Sequence, residues 1–198
     1  MKILLHYKLD KTEGFLKEFK TLHQQYKNRD FQFTKNFNHL ADTAIQFFEE
    51  INLQEMVSKI RILQTEYYTA MEGIHPLTLE KVQREKRTMQ RSFAFKNLCA
   101  FEEIIQMFYE KLKENQSSAV ELIQQIVLAA IQNHILDFEL MCKREYNVEE
   151  IWKSIILHFE FDLMHKKLLM QLNSIDILIL VEKVLDKILS VNIEHPVG

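Results

Sequence analysis

Glycine and proline are scarce in this sequence, with three and two copies among 198 residues. β-Hairpins and their tight turns depend on glycine and proline, whereas helices joined by short connections do not. The hydrophobic fraction of 47% and the charged fraction of 27% are typical of a globular chain rather than a disordered one. This length is enough to bury a substantial core in one domain. We therefore predict a single all-α domain spanning residues 1–198.

Cysteine is rare as well, and neither sign of charge dominates. Cys99 and Cys142 lie in predicted helices without a ligand-like spacing, so we expect packing roles in a reducing compartment and no disulfide framework. The formal net charge of −3 gives no general case for binding nucleic acid or an anionic membrane. No apolar run is long enough for a membrane span, and the apolar N-terminus is too short for a signal peptide. A cytoplasmic location is the expectation.

The sequence lacks the short motifs that mark common enzymes. Its glycines stand at positions 14, 73 and 198, so no glycine-rich phosphate loop exists, which disfavours dinucleotide-binding folds and P-loop enzymes. The patterns H-E-x-x-H and G-x-S-x-G are absent too. Whether the protein is an enzyme stays open at this point, and a non-enzymatic role is favoured.

Helical periodicity predicts a bundle of six or seven mostly antiparallel helices. The firmest break falls at Gly73 and Pro76, and polar turns are expected at 28–30, 115–118 and 146–147. Residues 1–9 are predicted as either an extended arm or a first helical turn. The short turn at 146–147 should join the fifth and sixth helices as a central hairpin. The predicted helices span about 10–27, 31–51, 53–71, 78–114, 118–143 and 148–171, with a last one from about 174.

Ionisable side chains fall on the predicted inward side of segment 151–171, opposite its narrow polar strip. They are His158, Asp162 and His165. In an antiparallel hairpin, residues at equal distances from the turn lie at the same height, because each residue adds ~1.5 Å along its helix. His134 and His158 are about equally far from the turn and should therefore be level, and Asp137 falls on the same side. Ionisable groups on a buried face need partners, a metal or a role in chemistry. We therefore expect these five side chains to line one buried polar seam.

Two interpretations of this seam compete. In one, imidazoles and carboxylates from facing helices hold a transition metal or another small ligand, with oxidoreductase activity as one outcome. In the other, each histidine pairs with an aspartate, a tyrosine or a carbonyl, and the network fixes the register of the helices. The second interpretation is favoured, because buried polar groups are usually just hydrogen-bonded. A ligand pocket or a general acid–base site is the remaining option.

Positive charge is concentrated in the first half of the predicted helix over 78–114. A helix that is polar all round in one half often projects from a bundle or faces a partner. A solvated helix face is the favoured interpretation of such a charge cluster, and partner contact is the alternative. Arg84 and Arg91 stand seven residues apart and continue the inward line of Leu98, which favours them for contact. The predicted partner-binding residues are Lys81, Arg84, Arg87 and Arg91.

The leading functional hypothesis is therefore a cytoplasmic protein that acts in protein–protein interaction or regulation. It would bind another protein, or itself, through this basic half-helix or through an exposed groove. A metal- or ligand-binding bundle is the alternative. Nucleic-acid binding through residues 80–96 is weaker, because Glu80 and Glu85 dilute the charge and no aromatic residues interleave with it.

Overall fold

The structure, a computed structural model, describes residues 4–136 and 147–194, with side chains as far as residue 190. Within these ranges the chain forms seven α-helices, and its one β-type pairing is an isolated bridge between Ile74 and Lys81. The predicted all-α helical bundle is confirmed. The helices are α1 (Leu5–Asn28), α2 (Phe33–Glu50), α3 (Gln54–Met71), α4 (Lys86–Gln132), α5 (Val148–Ile156), α6 (Phe159–Gln171) and α7 (Ser174–Glu194).

The chain divides into two compact units, whose boundaries fall within α1 and α4. We call Asp10–Glu110 the N-terminal unit, and Met1–Leu9 together with Lys111–Gly198 the C-terminal unit. The single domain stays a prediction. None of the helices in the described ranges combines the length and the apolarity that a membrane crossing needs.

Aromatic rings fill the core of the N-terminal unit. Phe101 of α4 lies edge-on to Phe19 of α1, with 4.9 Å between the ring centroids, and to Phe37 of α2 at 6.1 Å. Phe37 in turn contacts Tyr67 of α3 at 4.8 Å. All four residues are buried, and edge-to-face pairs place the positive ring edge against the negative face of a neighbour. These contacts hold the four helices whose ends carry the candidate site.

The last helix supplies a cap for the first, within the C-terminal unit. Asp176 of α7 is only 3% exposed. Its Oδ2 accepts the backbone N–H of Leu5 at 2.8 Å, and its Oδ1 accepts that of His6 at 3.4 Å. First-turn amides have no acceptor within their own helix and carry its positive end. Asp176 therefore acts as an N-cap supplied from 171 residues away.

The predicted helix over 78–114 is wrong at both ends. α4 begins at Lys86, because the chain before it turns back on itself through hydrogen bonds from His75 N–H to the Glu80 carbonyl and from Val82 N–H to the Gly73 carbonyl. The expected break at 115–118 does not occur either. Asparagine and serine cost a helix only a few tenths of a kcal/mol, and the buried stripe continues in phase from Leu112 to Ala119.

The bounds of the predicted central hairpin of 118–143 and 148–171 are also corrected, and residues 137–146, which include part of its first arm and Tyr146 of the expected turn, lie outside the described residues. α4 ends at Gln132, and the second arm divides into α5 and α6 at Leu157 and His158. At ~100° per residue, one continuous helix would place Trp152 and Phe161 about 180° apart. Both side chains are nevertheless buried, and the break gives them different helical phases, which allows both to pack inward.

Candidate functional site

The described residues of the predicted polar seam lie at or near the surface. His134, His158 and Asp162 are exposed, and His165 is half-buried. His134 stands in the turn after α4 with a φ of 56°, and His158 occupies the N-cap position of α6 with extended backbone. Asp137 lies outside the described residues. The prediction that these side chains share an inward face is therefore wrong for His134, His158 and Asp162, and His165 alone is half-buried.

Their contacts are those of surface residues rather than of a metal centre. The Asp162 carboxylate pairs with the Lys166 ammonium one turn along α6, with 2.6 Å between Oδ2 and Nζ. The His165 ring lies edge-on to Trp152 with 5.8 Å between the ring centroids. In the part of the chain that the structure describes, no three His, Cys, Asp or Glu side chains come together as metal ligands would. The metal interpretation gains no support from this geometry.

The contact between His165 and Trp152 gives a testable pH response. Burial lowers the pKa of His165 from its ordinary value of 6.5, and Asp162 opposes that effect. The neutral form of His165 therefore stabilises the folded state. This contribution to the free energy of unfolding is fully present above the ordinary pKa and is lost as the pH falls through the lowered native pKa. Trp152 is the only tryptophan, and protonated imidazole quenches indole fluorescence. We expect acidification to quench Trp152 emission with a midpoint below about 6.5.

The control for this titration is His165→Gln, which should remove the quenching step and leave the emission at neutral pH nearly unchanged. His158→Gln is the matched variant, because His158 is exposed and has no ring contact with Trp152. A midpoint above about 6.5, or a step that survives in His165→Gln, would contradict the assignment.

A groove of about 730 Å³ opens in the N-terminal unit where four helix ends meet. It lies between the C-terminal ends of α1 and α3 and the N-terminal ends of α2 and α4. Two positive and two negative helix ends largely offset each other, so the side chains decide its charge. We call it the arginine groove, defined by Arg29, Arg87, Arg91, Tyr26, Thr34 and Tyr67.

The three arginines reach the groove from two directions. Arg29 directly follows α1 and has left-handed backbone with a φ of 56°, and Arg87 and Arg91 stand one turn apart at the start of α4. The Arg91 guanidinium lies 5.8 Å from the centroid of the Tyr26 ring, and the Tyr26 hydroxyl donates to the Arg91 carbonyl at 3.2 Å. These contacts hold the first turns of α4 against the end of α1.

Positive charge in the arginine groove is not neutralised by the residues around it. None of the three guanidinium groups forms a salt bridge with another described residue. The one carboxylate in the lining belongs to Asp30, and its Oδ1 accepts the backbone N–H of Gln32 at 2.8 Å. The groove thus presents three full positive charges against one negative charge.

Neutral hydrogen-bonding groups also line the groove. Tyr67 is 1% exposed, and its hydroxyl lies 2.6 Å from Oγ1 of Thr34. Burial raises the pKa of Tyr67, with the Thr34 hydrogen bond opposing, so the phenol is neutral at pH 7. The Gln90 amide donates to the Met71 carbonyl at 2.8 Å and ties α4 to the end of α3. The walls are therefore fixed by hydrogen bonds between different helices.

The arginine groove includes only half of the predicted partner-binding set. Arg87 and Arg91 line it, whereas Lys81 and Arg84 belong to the loop before α4. Because α4 begins at Lys86, the prediction that Arg84 and Arg91 share one helix face is wrong. Arg29 was missed by sequence reasoning, since a single charged residue in a turn produces no periodic signal.

The Cys99 thiol and the Glu102 carboxylate are two other reactive groups of the N-terminal unit, and both are explained by contacts with neighbouring residues. Burial, and to a smaller degree the Glu102 carboxylate, raises the pKa of the Cys99 thiol, which is therefore protonated at neutral pH. The carboxylate of Glu102 lies 2.6 Å from Nε2 of His23. Neither group lines the arginine groove.

Comparison with known proteins assigns no family to this chain. No family model, no curated protein and no solved structure matches it.

Proposed function

We propose that this is a non-enzymatic protein whose arginine groove binds an acidic segment of a partner protein. The observation that carries the proposal is the set of three arginines that line one groove, none of which has a salt-bridge partner among the described residues. Each guanidinium presents five N–H donors in a planar fork that matches a carboxylate. A segment rich in aspartate or glutamate would supply the missing negative charge.

The composition and the exposure of the lining favour a peptide segment as the ligand. Arg29, Arg87 and Arg91 are all exposed, so a chain can lie across them and continue into solvent. Tyr26 stacks on Phe95 with 5.3 Å between the ring centroids, and Phe95 is 48% exposed. Arginine and aromatic residues are the side chains most enriched at protein interfaces.

The same lining gives little support to catalysis. No histidine, cysteine or lysine is among the described residues that line the arginine groove, so a base that could activate Thr34, Thr88 or Ser92 is missing from it. Its one carboxylate is hydrogen-bonded to the backbone of the neighbouring turn. Binding is thus the better-supported role.

The other sequence-based hypotheses receive less support. Nucleic-acid binding along residues 80–96 assumed one continuous basic helix, but the segment changes from loop to helix at Lys86. The free thiol of Cys99 is in keeping with the cytoplasm as the place where this binding occurs.

The proposal is tested by titrating the protein with a labelled glutamate-rich peptide and with the same peptide carrying glutamine for glutamate. At about 50 mM salt we expect the acidic peptide to bind at least about tenfold tighter, and its advantage to shrink as salt is raised, because exposed charges are screened. The chain has a net charge of −3, so general attraction of anions is not the cause of such a preference. Equal affinity for the two peptides at low salt would refute the proposal.

A further inference from the structure

We infer that the arginine groove recognises a phosphate monoester, so that phosphorylation of the partner segment is what makes it dock. This inference rests on the proposed function, because it names the acidic group that the groove prefers. It follows from the number of the arginines, from their spacing and from the neutral hydroxyl groups in the same lining.

The number of guanidinium groups exceeds what one carboxylate can use. A carboxylate accepts a bidentate fork from a single arginine, whereas this groove brings three arginines together. A phosphorylated side chain carries about −1.5 to −2 charges and three acceptor oxygens. It can therefore engage more than one guanidinium at the same time.

The spacing of Arg87 and Arg91 points to the same ligand. Residues four apart on a helix have Cβ atoms about 5–6 Å apart, and a pair of like charges there is destabilising. Arg29 adds a third positive charge to the same groove, and none of the three has a salt-bridge partner in the described ranges. A compact dianion between the two walls relieves this repulsion better than singly charged groups spread along a peptide.

Neutral hydroxyl groups in the same lining suit the oxygens of a phosphate. Thr88 and Ser92 line the groove together with the arginines, and each hydroxyl can donate to one phosphate oxygen. The carboxylate of Asp30 also lines the groove and accepts the Gln32 N–H. It repels every anion, so the preference for phosphate depends on the arginines and the hydroxyl donors.

The test uses labelled peptides with degenerate neutral flanks that differ only in a central serine, glutamate, phosphoserine or phosphotyrosine. We expect either or both phosphopeptides to bind at least about tenfold tighter than the glutamate peptide. Inorganic phosphate should compete with them. Affinity should also fall as pH drops below about 6, where the phosphate becomes a monoanion.

The matched variant is Arg29→Gln, which removes one charge from the wall opposite α4. We expect it to reduce the preference for phosphate over glutamate by at least about fivefold without changing the circular dichroism spectrum. Equal affinity for the glutamate peptide and both phosphopeptides would overturn this inference and leave the proposed function intact, whereas no binding of any acidic peptide would overturn both. Tighter binding of a single-stranded oligonucleotide than of the phosphopeptides would also overturn it.

Discussion

Replacing both Arg87 and Arg91 by glutamate is expected to weaken binding of the acidic peptide by at least about 100-fold. Each replacement removes a guanidinium fork and puts a carboxylate in its place, so two attractive contacts become repulsive. A 100-fold loss corresponds to about 2.8 kcal/mol, or about 1.4 kcal/mol for each position. Peptide titration by fluorescence anisotropy measures this loss directly.

The control with the same change in charge is Lys81→Glu with Arg84→Glu. These residues stand in the loop before α4 and do not line the arginine groove. We therefore expect less than about a threefold loss of peptide affinity, because only a screened long-range charge interaction is changed. An equal loss in both double variants would show that general charge governs binding. Full affinity in the Arg87 and Arg91 double variant would exclude the groove as the binding site.

Unfolding should not confuse this comparison. All four side chains are exposed, and surface substitutions usually change stability by less than about 0.5 kcal/mol. Arg87 lies in the first turn of α4, where a negative side chain is favoured over a positive one by the helix dipole. Replacing Arg91 also removes its contact with the Tyr26 ring, which contributes about 0.5–1 kcal/mol at an exposed site. The double variant in the groove should therefore lose no more than about 1 kcal/mol of unfolding free energy, which thermal unfolding can check.

The sequence was sufficient for the fold class and for several helix boundaries. The scarcity of glycine and proline excluded most sheet architectures, and the apolar period placed α2 and α3 within two residues of their bounds. The turn at 28–30 and the break at Gly73 and Pro76 were predicted because polar residues and helix-breaking residues interrupt the apolar period there, and the backbone is left-handed at Arg29 and Gly73, with φ of 56° and 82°. These are local properties, which a single sequence contains.

The candidate site could not be predicted in the same way. The prediction of a buried seam failed because a helical wheel assumes one continuous helix. The break at His158 changes the helical phase of every residue after it. The arginine groove depends on Arg29, Tyr67 and Arg87, which stand far apart in the chain and meet only after four helix ends converge. Of these three residues, only Arg87 was predicted to bind a partner, as part of a basic cluster in the sequence.

Replacing Asp176 by alanine is expected to cost about 2–3 kcal/mol of unfolding free energy. Its carboxylate accepts the backbone N–H groups of Leu5 and His6, and a hydrogen bond to a charged group contributes about 1.5–3 kcal/mol. Alanine would leave the amide of the buried residue Leu5 without its acceptor. Urea unfolding followed by circular dichroism measures the change.

Glu182→Ala is the control on the same helix, because Glu182 is exposed and its replacement should cost less than about 0.5 kcal/mol. The comparison separates the cap of α1 from helix propensity in α7, since both variants place alanine in α7 for an acidic residue. Asp176→Asn should lose less than Asp176→Ala, because an amide oxygen still accepts one of the two N–H groups. If Asp176→Ala were as stable as Glu182→Ala, the start of α1 would not depend on α7, and the cap would contribute nothing to folding.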